Sequence, residues 1–428
     1  MSNDPGPPVI VLDDDPTGTQ TVADLPIVLS ADRETLARAA RRRIGPVWVL
    51  TNTRAMTEER ARLTLGQVAR DVRSAFGQTA FLVLRGDSTL RGHVLAEIDT
   101  LSSPGSVALF VPAFVEQGRV TIDGIHYATK DGQRVEVAST EYARDPQFSY
   151  RSSRLTDWIA ERAPGRPAFG MSATILRGDG ARALADLLCD APDGAVVVPD
   201  AETVADLRVI RDGWLKAQRR GRQVVLRCAA SLATVVTGAA GRAVTLAPVT
   251  GPVLVVCASY SSGATEQLAA MAGRDDMASH EFDLAYAQHP DSSGYCRTLA
   301  SAAADSLARR RVVVLSTPRD VRPDAMTFAA GEAIMDSVVA TVRLLRGRFA
   351  ALVTKGGITS ARVARDALSV PIAYVRGQVL PGIPAWELCY PPGSGIGQVI
   401  VPGNVGQPSA INQIVNQLTG SGSPPCAR

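Results

Sequence analysis

A chain of 428 residues is too long for one ordinary hydrophobic core, so two domains are expected. An apolar fraction of 46% with 20% charged residues describes a globular protein, and a formal net charge of +3 provides no bulk field for nucleic acid. No apolar run approaches the roughly 18 residues of a membrane span, and M-S-N-D-P-G-P-P lacks the basic and apolar regions of a secretory signal.

In chain order, Val9 to Leu12 is a short apolar run with the pattern of a buried strand. Asp13, Asp14 and Asp15 arrive where it should end, Pro16 breaks it, and Thr17-Gly18-Thr19 lets a ligand approach the backbone. Ligands of open parallel sheets collect outside the carboxyl ends of the strands, and three adjacent acids need a cation, a basic partner or a proton. The competing reading is an Asp-rich turn that caps the following backbone. Residues 26–30 read as a strand, 31–43 as a basic helix, and 47–50 as a second buried strand ending in T-N-T-R-A. A helix over 57–76 opens on Glu58 and Glu59, which suit a helix N-terminus. A third strand, 80–84, ends in R-G-D-S-T-L-R-G-H, Arg85 to His93. Three apolar strands that each end in a polar loop point to one shared site.

Within these loops Arg54 is a candidate clamp for a carboxylate, or else part of a surface ion pair. Asp87 could orient a substrate hydroxyl or take its proton, with Ser88 and Thr89 donating hydrogen bonds. Arg85 and Arg91 bracket Asp87 and would keep it ionised and bind anionic groups; the alternative is a buried Asp–Arg structural knot. His93 and His126 either line the pocket or serve as hydrogen-bonding scaffold.

Residues 107–111 form another strand, and 112–127 read as a hairpin or cover. The stretch 129–150 is polar and weakly patterned, and 167–171 and 195–198 are further strands followed by helices. Residues 238–252, rich in small residues, Gly and Pro, are the best linker. They separate an N-terminal domain, 1–245, from a C-terminal domain, 246–428, which starts with a buried strand at Val253. Residues 296–310 and 325–345 read as helices, and 312–316 and 349–354 as strands. The last strand delivers T-K-G-G-I-T-S, Thr354 to Ser360, and a helix to about residue 368. Gly356 and Gly357 let backbone N–H groups face an anion, and Thr359 and Ser360 can donate to phosphate oxygens or cap the helix. The Walker spacing is absent, and a plain Gly-rich turn is the alternative. Gly403-Asn404-Val405-Gly406 and Ser259-Tyr260-Ser261-Ser262 can line a polyphosphate with it. Only 420–428 reads as a disordered tail. Six scattered cysteines without a C-x-x-C pair, and four histidines without ligand spacing, nominate neither disulfide nor metal residue and fit a reducing cytoplasm.

D-D-D-P-T-G, T-N-T-R, R-G-D-S-T-L-R-G, P-A-F-V-E-Q-G-R, T-K-G-G-I-T-S and G-N-V-G occur in the order found in the four-carbon acid sugar kinase family, and the chain resembles that family from Val9 to about Leu418. The resemblance implies an N-terminal substrate domain, a C-terminal nucleotide domain, and ATP-dependent phosphorylation of acids such as threonate, erythronate or 3-oxo-tetronate. Substrate contacts would fall on Asp14, Arg54, Arg85, Gly86, Asp87 and Ser88. ATP contacts would fall on Ser259, on Gly356, Gly357, Ile358 and Thr359, and on Gly403, Asn404 and Gly406. Many members have lysine where this chain has Arg85, and an apolar residue where it has Pro16. D-D-D-P-T-G-x-Q resembles a subgroup that includes kinases for branched acids such as 3-oxo-isoapionate.

The expected protein is therefore a cytoplasmic α/β kinase with two domains, each a largely parallel sheet flanked by helices, and an active site in the cleft between them. Arg54 and Arg85, with Arg91, would hold the acid, Asp14 or Asp87 would accept the hydroxyl proton, and the glycine loops would position ATP with Mg2+. The partners would be the acid and ATP, without nucleic acid or membrane, and a homodimer is left open. An ATP-dependent ligase and a non-catalytic nucleotide or sugar-acid sensor are the alternatives.

Overall fold

The computed structural model describes residues 7–42, 45–130, 132–287, 289, 291–319, 328–389, 391–393, 395–403 and 405–421. The chain forms two compact α/β units, one from residues 1–21 with 31–240 and the other from 22–30 with 241–428.

The strands of the first half are β1 (Val9–Asp13), β2 (Leu25–Val28), β3 (Val47–Leu50), β4 (Phe81–Arg85), β5 (Ser106–Val111), β6 (Val120–Ile122), β7 (Ile125–Lys130), β8 (Gln133–Glu136), β9 (Ala168–Met171), β10 (Val196–Pro199) and β11 (Gln223–Cys228). In the first unit a parallel sheet runs in the order β3-β1-β4-β11-β5-β10-β9. Its middle strands are buried apolar runs, V-W-V-L in β3 and S-V-A-L-F-V in β5, because helices cover both faces of a parallel sheet. The helix Glu58–Phe76 starts at Thr57, whose hydroxyl caps the N–H of Arg60 at 3.4 Å.

Register decides what meets at the carboxyl edge. Asp13 lies opposite Leu50 on one side and Arg85 on the other, and Arg85 lies opposite Cys228. The three acids, T-N-T-R, R-G-D-S and the end of β11 therefore leave the sheet side by side. The expected hairpin is formed by β6 and β7, turning at Asp123-Gly124 with both φ angles positive, and β8 extends it to three antiparallel strands.

The second unit contains β12 (Val253–Cys257), β13 (Met277–Glu281), β14 (Val312–Ser316), β15 (Ala351–Lys355), β16 (Ile372–Leu380), β17 (Ile383–Glu387) and β18 (Gly397–Val401). Its strand order is β13-β14-β12-β15-β18-β17-β16-β2, parallel as far as β18 and antiparallel beyond. The core joins Val253, Val255, Val314, Val353 and Val401 to Ile411, Ile414 and Leu418 of the helix Ala410–Thr419. That helix closes on Gly420 at φ +73°; of the tail expected over 420–428, residues 422–428 lie outside the described residues. The expected long helix is Phe328–Leu344, and the earlier residues assigned to it, 325–327, are also outside. The strand expected at 26–30 is β2, and it pairs with β16 of the second unit. Among the described residues no helix is long and apolar enough to cross a membrane.

Candidate active site

Three acids on one strand end would repel one another, and each is given a different partner. Asp13 is fully buried and accepts from Trp48 Nε1 at 3.1 Å and Arg85 Nη1 at 2.9 Å. Burial outweighs the arginine and pushes its carboxyl up to about 6. Asp15 accepts from Arg54 and from both the N–H and hydroxyl of Thr17. Burial opposes its ionisation, but these groups hold its carboxyl below the usual range. Asp14 accepts from Arg227 Nη2 at 3.1 Å through Oδ2, while its buried Oδ1 has no hydrogen-bond partner.

Asp87 accepts from Arg91 Nε at 2.8 Å and from the Thr89 hydroxyl, and lies 3.6 Å from Arg54 Nη1. Against the cost of burial, Arg91 and Arg54 hold its carboxyl well below the usual carboxylate range. Ser88 Oγ accepts from Arg119 Nη1 at 2.8 Å. Arg54 and Arg91 keep 20% and 26% of their side chains exposed, whereas Arg85 keeps 6% and is committed to Asp13. The guanidinium groups open to a ligand are thus Arg54 and Arg91. Asn52 and Leu90, in two of these loops, hold positive φ, the kind of backbone strain that collects at functional sites.

The histidines are scaffold. His126 bridges Thr121 Oγ1 at 3.0 Å and the Ser88 carbonyl at 2.8 Å, and burial lowers it to about 4, so it is neutral. His93 Nε2 meets the Met56 carbonyl at 2.8 Å.

Two buried charged residues absent from the sequence reading complete the cluster. Arg227 Nη2 lies 3.1 Å from Glu97 Oε2 as well as from Asp14, and Glu97 Oε1 accepts from Thr53 Oγ1 at 2.5 Å. Burial, the largest effect, pushes the Glu97 carboxyl up in spite of Arg227. The signal for Arg227 was a charge inside the apolar run V-V-L-R-C, a strand that the sequence reading passed over.

In the second unit, β15 ends at Lys355 and is followed by Gly356, whose φ of +102° needs glycine, before the chain turns into the helix Gly357–Arg362. A Cβ built on Gly356 would lie 3.4 Å from Thr359 Oγ1 and 3.7 Å from Ser259 Cβ, and one on Gly403 would lie 3.9 Å from Ser259 Oγ. Ser259, Gly356, Thr359 and Gly403 therefore converge, with Ile358 exposed beside them. Ser261 Oγ donates to the Gly403 carbonyl at 2.9 Å, and Gln267 Nε2 reaches the carbonyls of Val405 and Gly406 at 3.1 Å each. Asn404 lies outside the described residues.

Lys355, the residue before the glycines, is buried and donates from Nζ to the carbonyls of Pro402 at 2.8 Å and Val405 at 3.4 Å. Burial lowers it to about 8. It ties the two glycine loops together, a role the motif alone did not reveal. Among the described residues, no group of three or more His, Cys, Asp or Glu could hold a metal ion.

Family models place a sugar-binding N-terminal domain on residues 9–236 and a nucleotide-binding C-terminal domain on 254–411. Among solved structures, Haemophilus influenzae HI1011 matches at 16% identity with a TM-score of 0.68, covering 96% of this chain and 100% of its own. A Salmonella typhimurium LT2 protein provisionally named a tRNA synthase matches at 17% identity with a TM-score of 0.69, covering 95% and 98%. A Bordetella bronchiseptica protein, solved with citrate as a domain-swapped dimer, is 24% identical with a TM-score of 0.43 and covers 96% and 98%. No curated protein matches. At these identities the structural likeness shows a common fold. The two domain models, spanning the acid-and-arginine cluster and the glycine loops in turn, show that this chain belongs to the four-carbon acid sugar kinase family.

Proposed function

We propose that the protein is an ATP-dependent kinase that phosphorylates a hydroxyl of a small sugar acid of four or five carbons, linear or branched. The observation that carries this reading is the pairing of accessible Arg54 and Arg91 with one unpartnered carboxylate oxygen, Asp14 Oδ1, on the sugar-binding domain. Guanidinium forks suit a carboxylate, and a free carboxylate oxygen suits the proton of an attacking hydroxyl.

Asp14 is the better of the two aspartates for that proton. Asp87 takes Arg91 and Thr89 on one oxygen, Oδ2, has Arg54 3.6 Å from the other, and is held strongly ionised, which makes it a weak base and a good anchor for the arginines. Asp87→Asn is accordingly expected to raise KM for the acid by about 10-fold while kcat falls less, read by initial-rate kinetics.

The glycine loops and Ser259 would hold the phosphates through N–H and hydroxyl groups. Magnesium would come with the nucleotide, held by phosphate and water rather than by a cage of side chains; bound there, it would neutralise charge on the transferring group. Lys355→Met leaves two loop carbonyls without their donor and is expected to weaken MgATP binding by about 10-fold in calorimetry. In the wild type the lysine is charged below about pH 8 and neutral above it. MgATP affinity should therefore fall as pH rises through that value, and the methionine variant should lose this step.

The deciding experiment is ADP release from MgATP with a panel of four- and five-carbon sugar acids, their 3-oxo forms and branched isomers. ADP formed only with an acid supports the kinase. AMP release would support a ligase, and ATP binding without turnover would support a sensor.

A further inference from the structure

Beside the acid cluster, Arg227 and Glu97 are among the most deeply buried charges in the first unit. Burying such a pair is costly and adds little net stability, so its presence under a site calls for a functional account. Arg227 comes from the end of β11 and Glu97 from the helix Val94–Leu101; Asp14 follows β1. One nitrogen, Arg227 Nη2, is shared between Asp14 Oδ2 and Glu97 Oε2 at 3.1 Å each. Nε and Nη1 of Arg227 and Oε2 of Glu97 have no hydrogen-bond partner, so the guanidinium is held by a hydrogen bond to Asp14 and an ion pair with Glu97. Gly92 closes Asp14 from a further side, since a Cβ there would lie 3.1 Å from Oδ2.

We propose that Glu97 and Arg227 are positioning residues for the phosphoryl transfer: Glu97 holds Arg227, and Arg227 pins one oxygen of Asp14 so that the other, Oδ1, is presented to the substrate hydroxyl. The inference rests on the kinase reading above and adds to it the parts that set the direction of the base. Arg227 faces Glu97, Asp14 and the thiol of its neighbour Cys228. Glu97 faces Arg227, Asp14 and Arg54, with the Thr53 hydroxyl on its other oxygen. Asp14 faces Arg227, Glu97, Asp13, Arg54 and, at 3.9 Å from Oδ1, Arg85. Asp14 and Glu97 share Arg227 Nη2 at 3.1 Å each, so the place of the guanidinium, and through it the orientation of Asp14, depends on both carboxylates.

The test compares wild type with Glu97→Gln, which keeps the shape and the acceptor for Thr53 but loses the charge, and Arg227→Lys, which keeps a charge but loses the planar guanidinium that carries Nη2. The expected result is a fall in kcat of about 100-fold, with KM for acid and MgATP within about twofold of wild type. In Glu97→Gln, binding of the acid by calorimetry should stay at the wild-type level while turnover falls. A purely structural role would move the melting temperature and weaken binding of the acid along with turnover. Unchanged kcat in either variant overturns the inference, as does a rise in KM for the acid with kcat kept. If Glu97→Gln does not fold, Arg227→Lys decides alone on its kcat and KM. A wild-type enzyme silent with every acid is a different outcome: it overturns the kinase reading, and this inference with it.

Discussion

Asp14→Asn is expected to lower kcat by about 10²- to 10⁴-fold, the usual contribution of a general base. The amide keeps the shape and can still accept from Arg227 through one oxygen, so the fold and the acid pocket should persist. What disappears is the lone pair on the oxygen that has no partner in the free protein. Steady-state kinetics should show the loss almost wholly in kcat, with binding of the acid by calorimetry close to wild type. The contrast with Asp87→Asn is the sharper test. If Asp87 were the base, the two variants would exchange signatures: turnover would collapse at Asp87, and Asp14 would affect binding alone.

Gly86→Ala is expected to destabilise the first unit by about 3–5 kcal/mol, the cost of breaking a buried ion pair. A Cβ at that position would lie 2.0 Å from both terminal nitrogens of Arg227 and 2.2 Å from Cζ. A guanidinium on the surface would swing aside at little cost. Here it is buried and shared by Asp14 and Glu97, so displacing it leaves two carboxylates unpaired in the interior. Urea denaturation should report a lower midpoint, and turnover should fall even where the variant remains folded. A midpoint equal to wild type would mean that the loop lifts off Arg227 without strain, and that the close approach of backbone to arginine is incidental. Glycine in R-G-D is therefore kept here by the residue under it rather than by its own backbone angle, which is not positive.

The parallel core and its site were legible where strands are continuous apolar runs. V-I-V-L, V-W-V-L and F-L-V-L each end in a polar loop, and the pleated sheet can only bring those loops to one edge. Convergence of Ser259, Gly356, Thr359 and Gly403 likewise followed from three strand-to-loop transitions in one unit. Arg227 was not legible, because V-V-L between polar residues is too short a run to announce β11, and Glu97 looked like an ordinary helical acid. The antiparallel pair β16 and β17 was missed for a related reason: glycine and proline flank and interrupt it, and its pairing depends on partners elsewhere in the chain. The division of labour among the arginines was also beyond the motif. Arg85 and Arg91 look equivalent in R-G-D-S-T-L-R, and only register, which sets Arg85 opposite Asp13, makes one structural and the other available.

The route of β2 carries a consequence for how the protein can be made and divided. Its partner β16 is synthesised far downstream, with Val28 opposite Ile372. A ribosome therefore exposes this apolar strand long before its neighbour exists, and early folding must leave it waiting, open to chaperones or to mispairing. A single cut at the 240–241 boundary would give one fragment with an unpaired strand and another with a missing edge. The domains are distinct in sequence but not independent in manufacture: two fragments should recover a native second unit only when residues 22–30 are supplied to it, as a peptide or by circular permutation.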